Sequence, residues 1–192
     1  MNMPSLRILF LFKKAEAELL RSNKDRKHPF RFAQLDTFGN NFPELRTVVK
    51  RQMNQDWQFL FYTDQRTAKV AEIRKNAAVS LHFYDTKKQL QLRIRGKAKI
   101  IESGSFFEEH LSRAKAAPSV KDYCSILPPS KPLEGALDYG EQMYFALLLI
   151  ETEEVDVLQL SRSGHQRLLA ERRAGEWSLT DLVQIGRASC RE

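Results

Sequence analysis

The sequence predicts a mainly β chain with inserted helices, folded as a small antiparallel barrel. Residues 89–101 carry the clearest signal. Leu90, Leu92, Ile94, Ala98 and Ile100 fall on one face of an extended strand, and Gln89, Gln91, Arg93, Arg95, Lys97 and Lys99 fall on the other. That alternation belongs to an antiparallel strand with one packed face. Shorter apolar runs recur along the chain, separated by turn chemistry such as Phe38-Gly-Asn-Asn41 and Ala174-Gly175. Strands and helices do not alternate in βαβ order, which argues against a parallel doubly wound sheet.

The elements follow in order. Leu6, Leu9, Phe10 and Lys13 stand at helical spacing behind Pro4 and predict an N-terminal helix. Its apolar start, residues 6–12, is too short to span a bilayer and runs into Lys13 and Lys14 without a cleavage site, so it reads as neither anchor nor signal. A basic stretch over 21–28 leads to a strand over 30–36. Strands over 44–51 and 57–63 come next, the latter with Trp57, Phe59 and Phe61 on one face. Thr63 and Asp64 stand as a helix N-cap for a segment reaching Asn76, with Ala68, Ala71, Glu72 and Ile73 at helical spacings. A strand over 78–84 precedes a tight turn at Lys87 and Lys88. Ser103 is expected to cap a helix bearing Phe106, Phe107, His110 and Leu111, before a short helix and proline-rich loop over 118–132. A buried strand over 143–150, an exposed one over 154–160 and a hairpin of 165–173 with 176–183 complete the pattern. A single domain over 1–184 is expected. Residues 185–192 lack periodicity and are set apart as a candidate non-native tail.

The 192-residue chain is long enough to bury a core, and its +7 net charge and pI near 9.5 favour an anionic partner. That partner is a phosphorylated small molecule, nucleic acid or a membrane surface. The two cysteines, Cys124 and Cys190, have no neighbouring histidine and form no zinc spacing or disulfide framework. A reducing cytoplasm is the expected setting, and Cys124 reads as a small hydrophobe. Gly-x-Gly-x-x-Gly, the P-loop, Gly-x-Ser-x-Gly and His-Glu-x-x-His are all absent, so no metal site is expected and local serine chemistry has no support. An organic cofactor is then the natural carrier of difficult chemistry.

One constellation suits a phosphate. Arg46 starts a strand, Tyr62 and Thr63 end the next, and Thr67 and Lys69 lie at the start of a helix. Cations, hydroxyls and free helix N–H groups together bind a phosphomonoester, each charge-assisted bond contributing roughly 1.5–3 kcal/mol. Gln91, on a polar strand face, can both donate to and accept from the edge of a heteroaromatic ring.

Four segments, Phe30-Arg-Phe-Ala-Gln-Leu-Asp-Thr37, Arg46-Thr-Val-Val-Lys-Arg51, Phe61-Tyr-Thr-Asp64 with Thr67 and Lys69, and Gln91 with Arg93, Gly96 and Ala98, resemble the FMN-binding split β-barrel of the pyridoxamine 5'-phosphate oxidase family, and its oxidase-like relatives more than the oxidase proper. The match runs almost without gaps from about Phe30 to Ile101 and returns at His165, Arg167 and Trp177. The resemblance implies FMN at a homodimer interface and a small-molecule substrate, with phosphorylated ones included. Arg46, Thr47, Val48, Val49, Lys50 and Arg51 are expected to line the phosphate and ring edge, partly through backbone groups. Tyr62 and Thr63 hold the cofactor, Thr67 and Lys69 bind the phosphate, Gln91 faces the ring, and Arg167 reaches in from the partner. Arg51 and His165 are the implied substrate contacts.

The chain also departs from the family pattern. Ala68 replaces a basic residue although Arg66 is near, Val157 stands for a tryptophan, Ser163 for an arginine, and residues 117–124 do not match the substrate segment. The expected function is a flavin-dependent oxidoreductase passing hydride between a small substrate and the flavin, with no catalytic residue assigned. A non-catalytic flavin carrier or sensor is the alternative. A nucleic-acid-binding barrel is disfavoured because the aromatics sit mainly on apolar faces.

Overall fold

The computed structural model describes residues 5–162 and 164–183. Pro4, Ser163 and the tail over 185–192 lie outside them. The chain forms α1 (Leu6–Arg21), β1 (Phe32–Phe38), β2 (Pro43–Met53), β3 (Gln58–Asp64), α2 (Ala68–Lys75), β4 (Ala78–Asp85), β5 (Leu90–Ile101), α3 (Ser105–Lys115), β6 (Phe145–Gln159), β7 (Gln166–Arg173) and β8 (Glu176–Asp181). Short 3-10 turns occupy Pro29–Arg31 and Pro118–Tyr123. The antiparallel strands run β3-β2-β1-β4-β5-β6-β7-β8, and β3 also pairs with β6. That last pairing closes six strands into a barrel, from which β7 and β8 extend.

Strand β6 explains the shape. Along one edge it pairs with β5 throughout. Along the other, Phe145 through Glu151 pair with β3 and Glu154 through Gln159 pair with β7. The two strands expected over 143–150 and 154–160 are therefore one. Val155, Asp156 and Val157 are buried rather than exposed, because they lie in mid-sheet between two neighbours. The β5–β6 register shifts between Arg95 and Gly96. A Cβ on Gly96 would sit 2.1 Å from the Glu151 carbonyl oxygen, so only glycine fits there.

The interior gathers Phe30, Leu35, Phe59, Phe61, Leu81, Phe83, Ile94, Leu148 and Ile150. One mouth is covered by α1 through Ile8, Leu11, Phe12, Ala15 and Leu19, with Phe12 stacked on Trp57 at 5.0 Å. The residues whose spacing marks the helix lie on its outer face: Leu6 is 86% and Phe10 73% exposed. Both faces of this helical start are apolar, so spacing alone does not choose between them. Strand β3 points Phe59 and Phe61 inward and Leu60 and Tyr62 outward. The outward pair joins Phe107, Tyr123, Phe145 and Leu147 in a second apolar cluster under α3.

Two helix starts differ from expectation. β3 continues through Asp64, and Thr67 is the N-cap of α2. α3 begins after Gly104, whose φ of +94° suits glycine, not after a Ser103 cap. The C-terminus of α1 is tied to β2 by buried polar bonds. Lys50 Nζ donates to the Leu19 carbonyl (3.0 Å) and to Asn23 Oδ1 (2.6 Å), while Asn23 also exchanges bonds with the Met53 backbone. The Lys50 side chain thus points away from the outer face of β2.

Burial, with the charge of Arg31, pulls the Lys50 pKa down to about 7. The unfolded chain keeps this proton up to the ordinary 10.5, so folding becomes more favourable as pH rises from about 7 towards 10. Lys50→Met should flatten that rise in chemical-denaturation profiles. Gly96→Ala should lower the unfolding free energy by about 1–3 kcal/mol, measured the same way, because backbone must move to admit the methyl group.

Candidate functional site

A pocket of ≈ 290 Å³ opens between β2, β3, the start of α2 and the turn Pro118–Tyr123. Eight residues singled out from the sequence line it: Thr47, Val48, Val49, Arg51, Tyr62, Thr63, Thr67 and Lys69. Period two explains the convergence. Thr47, Val49 and Arg51 share one face of β2, while Thr63 and the β3–α2 turn bring hydroxyls to the strand end.

At that end, Lys69 Nζ donates to Thr63 Oγ1 (3.2 Å), which lies 3.3 Å from Thr67 Oγ1. Thr67 Oγ1 in turn donates to the Asp64 carbonyl (2.8 Å). Burial first, and then the nearby charge of Arg46, lower the Lys69 pKa. Arg46 stands behind this end rather than lining the pocket. Its guanidinium donates to Thr37 Oγ1 and, at 3.0 Å, to Glu72 Oε2.

At the other end the Arg51 guanidinium lies 4.8 Å over the Tyr62 ring and 3.5 Å from the Tyr123 hydroxyl. Arg51 Nε is buried without a hydrogen-bond partner. The Tyr62 hydroxyl meets His110 Nδ1 at 2.7 Å. Burial raises the pKa of both Tyr62 and Tyr123, so both stay neutral phenols near pH 7.

Sequence reasoning missed Asp64, Asp122, Tyr123 and Pro129 as lining residues. Asp64 read as a helix cap, and the other three belong to a segment with no recognisable pattern. Arg66 does not replace the missing basic residue at Ala68. It is bound to the Asp64 carboxylate (2.6 Å), stacked 3.4 Å over Tyr144, and bonded to Ser125, which pins the 123–127 loop to the β3–α2 turn.

Gln91 and Arg167 lie elsewhere, on the outer face of β5, β6 and β7, both opposite Leu158. Arg167 forms a two-point pair with Asp156 (3.0 and 2.7 Å), and Arg93 binds the same carboxylate. Burial alone would raise the Asp156 pKa, but these guanidinium bonds hold it below the ordinary carboxylate range. His165 Nδ1 accepts from the Ser161 N–H (3.2 Å), beside α1, where Arg7 donates to its carbonyl. Tyr62 faces Leu147 and Gln91 faces Leu158, so about 35 Å of extended β6 separates the two groups within one chain.

The pocket therefore has an anion-accepting end with one cation and two hydroxyls, apolar walls from Val48, Val49 and Leu148, and a guanidinium with an open donor. That set fits a phosphomonoester joined to a planar ring. Among the described residues no cluster of His, Cys, Asp or Glu could hold a metal, and no helix is long and apolar enough to cross a membrane.

Comparison with known proteins agrees with this chemistry. Residues 11–102 match the family described as pyridoxamine 5'-phosphate oxidase, FMN-binding domain. The pyridoxine/pyridoxamine 5'-phosphate oxidases of Legionella pneumophila strains Lens and Paris are 25% identical over 151 residues, covering 71% of this chain and 70% of theirs. A pyridoxamine 5'-phosphate oxidase-related, FMN binding protein from Nostoc punctiforme shares the fold with a TM-score of 0.73 at 24% identity, over 90% of this chain and 97% of its own. PhzG from Burkholderia lata, solved with tetrahydrophenazine-1-carboxylic acid, does so with a TM-score of 0.65 at 19% identity, over 94% of each chain. Residues 11–102 thus match the FMN-binding domain of the pyridoxamine 5'-phosphate oxidase family, and the chain has the split-barrel fold of its structural neighbours.

Proposed function

We propose that this chain is an FMN-dependent oxidoreductase, cytoplasmic and working as a homodimer on a small, anionic substrate. The observation that carries the reading is the pocket itself, which unites eight of the residues singled out for the cofactor around an anion-accepting end. Lys69, Thr63 and Thr67 hold the phosphate, with Arg46 paired to Glu72 behind them. Val48 and Val49 flank the ring, and Lys50 contributes backbone only. Arg51 brings its guanidinium to the substrate or the ring edge from the Tyr62 end. When bound, FMN supplies a ring that takes up a hydride and hands it on.

The remaining residues support a dimer. Gln91, Arg167 and His165 lie too far along β6 to serve the pocket of their own chain, so a two-fold axis would present them to the pocket of the partner. A flavin carrier or sensor without turnover is the second reading. It draws on Arg167, whose guanidinium is held at two points by Asp156 of its own chain.

The purified protein should be yellow, or become so with added FMN, and a colourless protein that takes up none overturns the proposal. Lys69→Ala should weaken FMN affinity at least about tenfold, as loss of one charge-assisted bond predicts, while leaving the thermal unfolding midpoint nearly unchanged. Oxidation of pyridoxamine 5'-phosphate with release of peroxide would decide for the oxidoreductase. FMN bound without turnover of this or related anionic amines and alcohols would decide for the carrier.

A further inference from the structure

Behind the pocket wall, α3 carries a histidine to which the flavin reading gives no role. His110 is 4% exposed. Its ring is enclosed edge-on by Phe106, at 4.7 Å between centroids, and by Tyr62, at 5.7 Å. The Tyr62 hydroxyl lies 2.7 Å from His110 Nδ1. Tyr62 lines the pocket, and its ring is the surface over which the Arg51 guanidinium rests. The other polar contact of Arg51 is a long one, 3.5 Å to Tyr123. The posture of Arg51 therefore depends on Tyr62, and that of Tyr62 on His110.

We propose that His110 is a positioning residue of the flavin site, holding Tyr62, and through it Arg51, in the binding posture only while its imidazole is neutral. The proposal rests on the flavin reading above. With its proton on Nε2, the neutral ring offers Nδ1 as an acceptor for the Tyr62 O–H. The imidazolium has two donors and no acceptor, so its Nδ1–H can only donate to the Tyr62 oxygen, which reverses the bond and turns the Tyr62 proton out of it. It also adds a positive charge beside Arg113 on α3, behind the Tyr62 ring over which Arg51 rests. Facing groups of other kinds are Glu109, paired with Arg113 on α3, and Tyr62 on β3. Burial, and then Arg113, lower the His110 pKa, so the neutral form prevails near pH 7 and is lost on acidification. A buried histidine that only fills space would not make the pocket respond to pH.

FMN affinity, read by quenching of flavin fluorescence from about pH 5 to 8, tests this. H110Q keeps an acceptor for Tyr62, so it should bind like the unaltered protein at neutral pH and lose less affinity on acidification. H110F and Y62F should each weaken binding about fivefold at neutral pH, the worth of one hydrogen bond, and the double variant should lose no more than either alone. Equal pH profiles for H110F and the unaltered protein, or fully additive losses in the double variant, would overturn the assignment while leaving the flavin reading intact. Failure of the unaltered protein to bind FMN at any pH would remove both. If H110F does not fold, H110Q and Y62F still decide the case through the pH profile and the neutral-pH loss.

Discussion

The barrel closes because one strand satisfies three neighbours. β6 needs β5 along one edge and both β3 and β7 along the other, and a straight ladder could not serve all of them. The register shift at Gly96 lets the sheet bend where β3 leaves and β7 takes over. The missing Cβ allows the backbone of β5 and β6 to approach closely there, and the Thr152 hydroxyl donates to the Trp57 carbonyl nearby. The opposed faces of β3, the covering of the mouth by α1 and the separation of the two polar groups all follow from this closure.

The pocket inherits its electrostatics from that frame. Lys69 and Arg46 are placed near each other by a helix and a strand that the barrel fixes, so their mutual repulsion is relieved by Asp64, by Glu72 and by any anion that enters. Glu72 neutralises Arg46, which leaves Lys69 as the cation available at the pocket end. Proximity of like charges and partial burial cost stability in the empty protein, and that cost returns as affinity when an anion enters.

Much of this was legible in the sequence, and the failures have physical causes. Thr63, Thr67 and Lys69 could be grouped because a strand end and a helix start are local features. Lys50 was misplaced although it shares parity with Val48 and alternates against Thr47, Val49 and Arg51, because a lysine is rarely expected inside. Its burial depends on the α1 C-terminus and Asn23, which are near it only in the fold. The charged residues Glu151, Glu153 and Glu154 made β6 look like two strands, since nothing local shows that Lys99 and Arg95 meet two of them across the sheet. His110 was seen only as part of an amphipathic helix, and its bond to Tyr62 arises where α3 packs on β3.

Strand β3 gives consecutive residues to different tasks, Phe59 and Phe61 to the core and Leu60 and Tyr62 to the outer wall. Its reading frame is therefore shared by stability and recognition. Adding or removing one residue within it would exchange the two sets, moving the tyrosine under Arg51 inward and a core phenylalanine outward. β3 thus tolerates no change of length. The segment between Tyr123 and Phe145, which contributes a wall without strand register, is where insertions can reshape the cleft and leave the barrel whole.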